Sequence, residues 1–104
     1  MTDCIFCKIA KKGIPKEFTY EDDEVMVFPD IHPIKPIHLL IAPKKHIPEF
    51  VHVEDGAIYT KLFTVVQKMI KKSGLEGKRH RIAINGGGLQ EIDHLHIHLM
   101  GPIE

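Results

Sequence analysis

The sequence has no net charge, with 14 Lys and Arg against 14 Asp and Glu in 104 residues. No basic block interrupts that balance, which excludes the electrostatic footprint of a nucleic-acid groove binder. A negatively charged ligand must be held by local groups, not by an overall field. Long apolar runs are missing as well. No stretch reaches the roughly 18 apolar residues of a membrane-spanning helix. Met1-Thr2-Asp3-Cys4 has neither the positive region nor the apolar stretch of a signal peptide. The expected location is cytoplasmic and reducing, with neither membrane nor nucleic acid as partner. Cysteine is scarce, at two copies, and in a reducing compartment these serve as metal ligands or free thiols, not as a structural disulfide. Repeats and low-complexity segments are absent too. At this length the chain, 1–104, reads as one domain.

Alternating and helical periods are present in quantity. Asp3 is placed to cap a short helix running to about Lys12, with Gly13 as a left-handed stop and Pro15 beyond. Phe18–Tyr20 and Glu24–Phe28 read as strands joined by Glu21-Asp22-Asp23. Three prolines stiffen residues 29–36, and Ile37–Ala42 reads as a buried strand. From Glu54 to Ser73, the residues Ile58, Leu62, Val65, Val66, Met69 and Ile70 recur at helical steps, and Gly74 follows as a stop. Arg81–Asn85 and Leu95–Met100 complete the strands, on either side of Gly86-Gly87-Gly88. Several strands with two helices predict an α+β fold with a mainly antiparallel sheet.

Histidine is the unusual entry in the composition, with eight copies. In His94-Leu95-His96-Ile97-His98-Leu99 the alternation is unbroken. Side chains alternate between the faces of a strand, so the three imidazoles share one face and the apolar residues the other. Neighbouring imidazoles depress one another's proton affinity and keep some rings neutral near pH 7. Three readings fit such a row: a metal site, an imidazole that attacks phosphorus while its neighbours donate to the phosphate oxygens, or a solvated face without a task. Asn85-Gly86-Gly87-Gly88 favours phosphate, because its backbone can approach a ligand closely. By itself that segment fits an ordinary turn equally well, and it is not a Walker loop. Cys4-x-x-Cys7 has its own alternatives: a redox pair, half of a zinc site, or two unpaired thiols.

The segment His94–Met100 resembles the signature of the histidine triad family. Cys4–Ile9, Tyr20-Glu21-Asp22-Asp23, Phe28-Pro29-Asp30-Ile31, His38–Ile41, Pro43-Lys44-Lys45-His46 and Gln90–His94 are similar, in order, to its Hint branch. The resemblance implies a five-stranded antiparallel sheet with two helices, dimerising into a continuous sheet. It implies a nucleoside phosphoramidase or nucleotidyl hydrolase acting on an AMP or GMP derivative. Dinucleoside polyphosphate hydrolysis, a nucleotide sensor and a zinc-stabilised interaction module stand as alternatives.

By the same resemblance His96 is the nucleophile, His98 the phosphate contact and His38 a supporting histidine. Asp30 takes the ribose hydroxyls, and Ile5, Phe6, Ile9, Phe28 and Ile31 form the purine slot. Asn85, Gln90 and Glu91 fall at the phosphate and leaving group, with Glu91 replacing a frequent serine. Zinc is implied between Cys4, Cys7, His46 and His94, a closed and therefore structural set. His32, His52 and His80 have no matching role and are expected at the surface.

Overall fold

A computed structural model describes residues 4–104. In chain order it contains α1 (Ile5–Ala10), β1 (Tyr20–Glu21), β2 (Val25–Pro29), β3 (Ile37–Pro43), a 3-10 turn (Phe50–His52), α2 (Ala57–Lys72), β4 (Arg81–Ile84) and β5 (Ile97–Gly101). The strands form one five-stranded antiparallel sheet in the order β1-β2-β3-β5-β4. The expected sheet and two helices are present. None of the described helices is long and apolar enough to cross a membrane.

Strand alternation divides the core into two layers. Val25, Val27, Leu39, Ile41, Leu95, Ile97 and Leu99 face α2 and pack on Leu62, Val65, Val66 and Met69. Each such buried side chain contributes roughly 1.5–3 kcal/mol. On the other face, Met26, Phe28, Leu40 and Ala42 pack on Phe6 and Ile9 of α1. Strands β2 and β3 are covered on both faces, which explains their unbroken apolar runs. In the β3–β5 register Leu40 lies opposite His98 and His38 opposite Met100, so both histidines look toward the α1 side.

Several boundaries differ from expectation, each for a local reason. Asp3 lies outside the described residues; Cys4 occupies the N-cap of α1 and its Sγ accepts the Cys7 N–H at 3.3 Å. The left-handed residue after α1 is Lys12, with φ 65°, not Gly13. Gly13 instead donates its N–H to the Lys8 carbonyl at 2.8 Å, and Lys12 is held by an ion pair to Glu21 at 2.6 Å. The β1–β2 turn moves later because Asp22 Oδ1 accepts from the amides of Glu24 and Val25. Strand β3 extends through Pro43, which lies opposite Val25.

Helix α2 starts at Ala57, where the Asp55 carboxylate accepts the Ala57 N–H at 3.0 Å, and ends before Gly74, whose φ of 79° makes it the stop. The 3-10 turn had no periodic signal; the Tyr59 hydroxyl ties it to α2 by donating to the Phe50 carbonyl at 3.3 Å. Strand β4 ends one residue early, at Ile84. Strand β5 starts only at Ile97, because the amides of His94 and Leu95 bond to the carbonyls of Ile92 and Ile47 instead of joining the ladder.

Candidate functional site

Phe6 joins the two halves of the histidine face, with its ring edge-on to His94 at 5.7 Å and to His96 at 5.2 Å. The three histidines share this face although only His98 lies in the paired strand, and Leu95, Ile97 and Leu99 enter the core as expected. His38, His94 and His96 are buried and His98 is half-buried.

Hydrogen-bond partners fix where each ring carries its proton. His96 Nδ1 lies 2.7 Å from the His94 carbonyl oxygen. A carbonyl only accepts, so Nδ1 donates and the lone pair of the neutral ring sits on Nε2. The Ile34 N–H donates to His38 Nδ1 at 3.1 Å, which leaves the His38 proton on Nε2. That proton points at His98 Nδ1, 2.9 Å away. His98 consequently keeps its own proton on Nε2. The result is one imidazole with a free nucleophilic nitrogen next to one with a free N–H donor, their centroids 5.0 Å apart. Burial, reinforced by His96 and His38, holds the His98 pKa below its ordinary value, so its ring is neutral near pH 7.

Asp30 Oδ2 lies 3.4 Å from His38 Nε2, and its Oδ1 accepts the His32 N–H at 2.9 Å. Asp30, His38 and His98 offer atoms within 4.8 Å of one another, yet both His38 nitrogens are committed. This group is a hydrogen-bond relay, not a ligand set.

Around the histidines, Phe6, Ile9 and Phe28 are buried together, while Ile5 is partly exposed and Ile31 stands 72% exposed. Asn85 is half-buried just after β4. Gln90 turns into its own loop, accepting the Gly88 N–H at 3.0 Å and donating to Asp93 at 3.3 Å. Glu91 is exposed, and its charge raises the proton affinity of His98, though less than burial lowers it. One donor of the glycine loop is already engaged, because Gly87 N–H bonds Glu49 Oε1 at 2.8 Å. Glu49 carried no sequence signal, since 38 residues separate the partners. His32 and His52 are exposed as expected, whereas His80 is half-buried, with Nδ1 donating to the Lys78 carbonyl at 2.8 Å.

Cys4, Cys7, His46 and His94 form a second cluster, with ligand atoms all within 4.8 Å of one another. His94 Nδ1 lies 3.3 Å from Cys4 Sγ and 3.6 Å from Cys7 Sγ, and His46 Nδ1 lies 3.3 Å from Cys7 Sγ. Tetrahedral zinc, with sulfur at about 2.3 Å and nitrogen at about 2.0 Å, places such pairs about 3.5 Å apart. The cluster therefore fits zinc in both donor type and spacing. His94 donates from Nε2 to the Pro43 carbonyl at 2.7 Å, which aims the Nδ1 lone pair at the thiols. Burial first, then the charges of His46 and His96, lower the His94 pKa to about 4, so it remains a neutral ligand. Burial and the neighbouring Cys4 raise the Cys7 thiol to about 11, so this thiol needs a cation beside it to ionise near neutrality. A cavity of about 610 Å³ opens beside His46 between Glu24, Lys44, Val53 and Asp55, away from His96 and His98.

A family model described as HIT domain matches residues 11–104. Protein HitA of Neisseria gonorrhoeae is 45% identical over 104 residues, covering 97% of this chain and 97% of that protein. A HIT family hydrolase from Legionella pneumophila superimposes with TM-score 0.91 at 38% identity, over 98% of this chain and 95% of that one. A histidine triad nucleotide-binding protein from Candida albicans gives TM-score 0.85 at 33% identity, over 93% and 73% of the two chains.

Proposed function

This chain belongs to the HIT domain family, and from that premise we propose that it hydrolyses nucleoside 5'-phosphoramidates through a nucleotidyl-His96 intermediate. Its fold is that of HIT family hydrolases and nucleotide-binding proteins. One observation carries the finer reading: His96 presents a lone pair at Nε2 beside an N–H donor on His98, each fixed by a separate backbone contact.

In the first step His96 Nε2 bonds to phosphorus as the P–N bond of the substrate breaks. The amine leaves with that electron pair and one proton taken from solvent, and the water of the second step gives one back. Water then attacks phosphorus, the electron pair returns to Nε2, and a nucleoside monophosphate is released, so each turnover consumes one water. His98 Nε2–H donates to the phosphate oxygens, where charge accumulates, and His38 keeps His98 in the donating tautomer. Phe6, Ile9 and Phe28, with Ile5 and Ile31 at the rim, hold the purine of an AMP or GMP moiety. Asp30 accepts from the ribose, and Asn85, Gln90 and Glu91 border the phosphate and leaving group.

Cys4, Cys7, His46 and His94 hold zinc in this reading, whose contribution is to the stability of the fold, not to Lewis-acid chemistry. The whole of 1–104 acts as one domain in the cytoplasm, as a homodimer. Strand β4 supports the dimer because it is a sheet edge with Ile82 47% exposed, and α2 adds Phe63 at 46%.

Acid-quenched mixtures with an adenosine phosphoramidate test the reaction. The parent protein should carry a nucleotidyl adduct on a peptide containing His96, and His96→Ala should carry none. Turnover without any adduct would overturn the mechanism.

A further inference from the structure

His94 belongs both to the cysteine–histidine cluster and to the histidine face that carries His96, and it is fully buried. All four of its polar groups are engaged. The N–H donates to the Ile92 carbonyl at 2.8 Å, and Nε2–H donates to the Pro43 carbonyl at 2.7 Å. Nδ1 faces the sulfurs of Cys4 and Cys7 at 3.3 and 3.6 Å. The carbonyl oxygen accepts the proton that sets the tautomer of His96, at 2.7 Å. The His46 ring stands edge-on against the His94 ring, with centroids 5.2 Å apart. From the thiols to the attacking nitrogen the path runs through the His94 imidazole, its peptide carbonyl and the His96 ring, joined by two hydrogen bonds.

We propose that Cys4, Cys7 and His46 are positioning residues for the attack by His96, acting through His94. The inference rests on the reading of His96 as nucleophile and adds a second task to the cysteine–histidine cluster. A thiol–imidazole hydrogen bond is weak and tolerates displacement of the ring. Four ligands at fixed angles do not. When the His94 ring shifts, its own peptide turns with it, and the carbonyl no longer opposes His96 Nδ1. His96 then populates the other neutral tautomer, in which Nε2 carries hydrogen and has no lone pair with which to attack. The fraction of competent rings falls and the chemical step slows accordingly.

A purely structural role predicts a different pattern. Cys4 caps α1, and α1 supplies Phe6 and Ile9 to the purine slot. Loss of the cap alone would disturb nucleotide binding and raise KM. The positioning role lowers kcat and alters the His96 ring itself.

The test uses ring nitrogen NMR of uniformly 15N-labelled protein, zinc-loaded and after chelation, for the parent, Cys4→Ser with Cys7→Ser, and His46→Ala. His46 is exposed, so its replacement leaves the core packed if the double cysteine variant fails to fold. Expected are a single His96 tautomer, protonated at Nδ1, in the zinc-loaded parent and a mixture in His46→Ala and in the chelated protein. The single-turnover rate on an adenosine phosphoramidate should fall by the same factor as the fraction of His96 rings protonated at Nδ1, with KM within twofold. An unchanged His96 tautomer after chelation and in His46→Ala overturns the inference, whatever the rate does. Absence of turnover and adduct in the zinc-loaded parent would instead overturn the phosphoramidase reading, and the ring spectra would still decide this one.

Discussion

His38 Nε2 and His98 Nδ1 are 2.9 Å apart, and the direction of that bond is set by a third group, the Ile34 N–H on the far side of the His38 ring. The free Nε2–H of His98 is thus set from the proline-stiffened loop before β3. His38→Ala should remove the orienting proton, and on the order of a hundredfold should be lost from the chemical step with little change in nucleotide affinity. Single-turnover kinetics and nucleotide titration on the same preparation check this.

His96→Ala should abolish turnover and leave nucleotide binding within about tenfold, because the attacking nitrogen contributes to the transition state and not to ground-state binding. Turnover within a few-fold of the parent would sink the assignment. Steady-state rates paired with calorimetric titration of the monophosphate provide the measurement.

The zinc-free protein should lose stability in mild acid. Its His94 pKa is lowered from 6.5 to about 4, so between those values the unfolded chain binds a proton that the folded chain refuses. Stability is fully present above about pH 6.5 and declines as pH falls toward 4, by about 3 kcal/mol from this residue. Urea midpoints of chelated protein between pH 4.5 and 7.5 measure the slope. A flat profile would contradict the burial of this ring as a neutral base.

Much of this site was legible in the residue order. The alternation from His94 to Leu99 placed three imidazoles on one face and three apolar side chains in the core. The helical steps from Ile58 to Ile70 located α2, and Cys-x-x-Cys marked the second cluster. The backbone partners were not legible, because the carbonyls of Pro43 and His94 and the amide of Ile34 carry no side-chain signature. Glu49 escaped for a similar reason: any acidic residue in that loop reads alike until the chain folds it onto Gly87. The early start assigned to β5 had a cause of its own. Side-chain alternation continues through His94–His96, while the backbone bonds there leave the ladder.

Elemental analysis of protein purified without chelator should give about one zinc per chain, the four ligands making a closed site. Cys4→Ser with Cys7→Ser should lower the melting temperature, since the free energy of metal binding becomes folding free energy. Zinc-free protein with an unchanged melting temperature in the double variant would refute the site.

Asp30 should set the preference for ribose over deoxyribose. A carboxylate held in place by the His32 amide has lone pairs left for two hydroxyls. Asp30→Ala should bring the kcat/KM ratio of an adenosine phosphoramidate and its deoxy analogue toward one. A ratio that stays at the parent value would assign the ribose contact elsewhere.

The β3–β5 register has a consequence for how errors in folding are exposed. With Leu40 opposite His98 and Leu39 opposite Leu99, successive residues of β5 serve opposite masters: one side chemistry, the other cohesion. A slip of β5 by one residue would drive the His98 imidazole under α2 and turn Ile97 and Leu99 to the other face, since the side-chain period is two. No misregistered chain could be stable and merely inactive. A one-residue insertion in β5 is therefore expected to cost the fold and the histidine arrangement together.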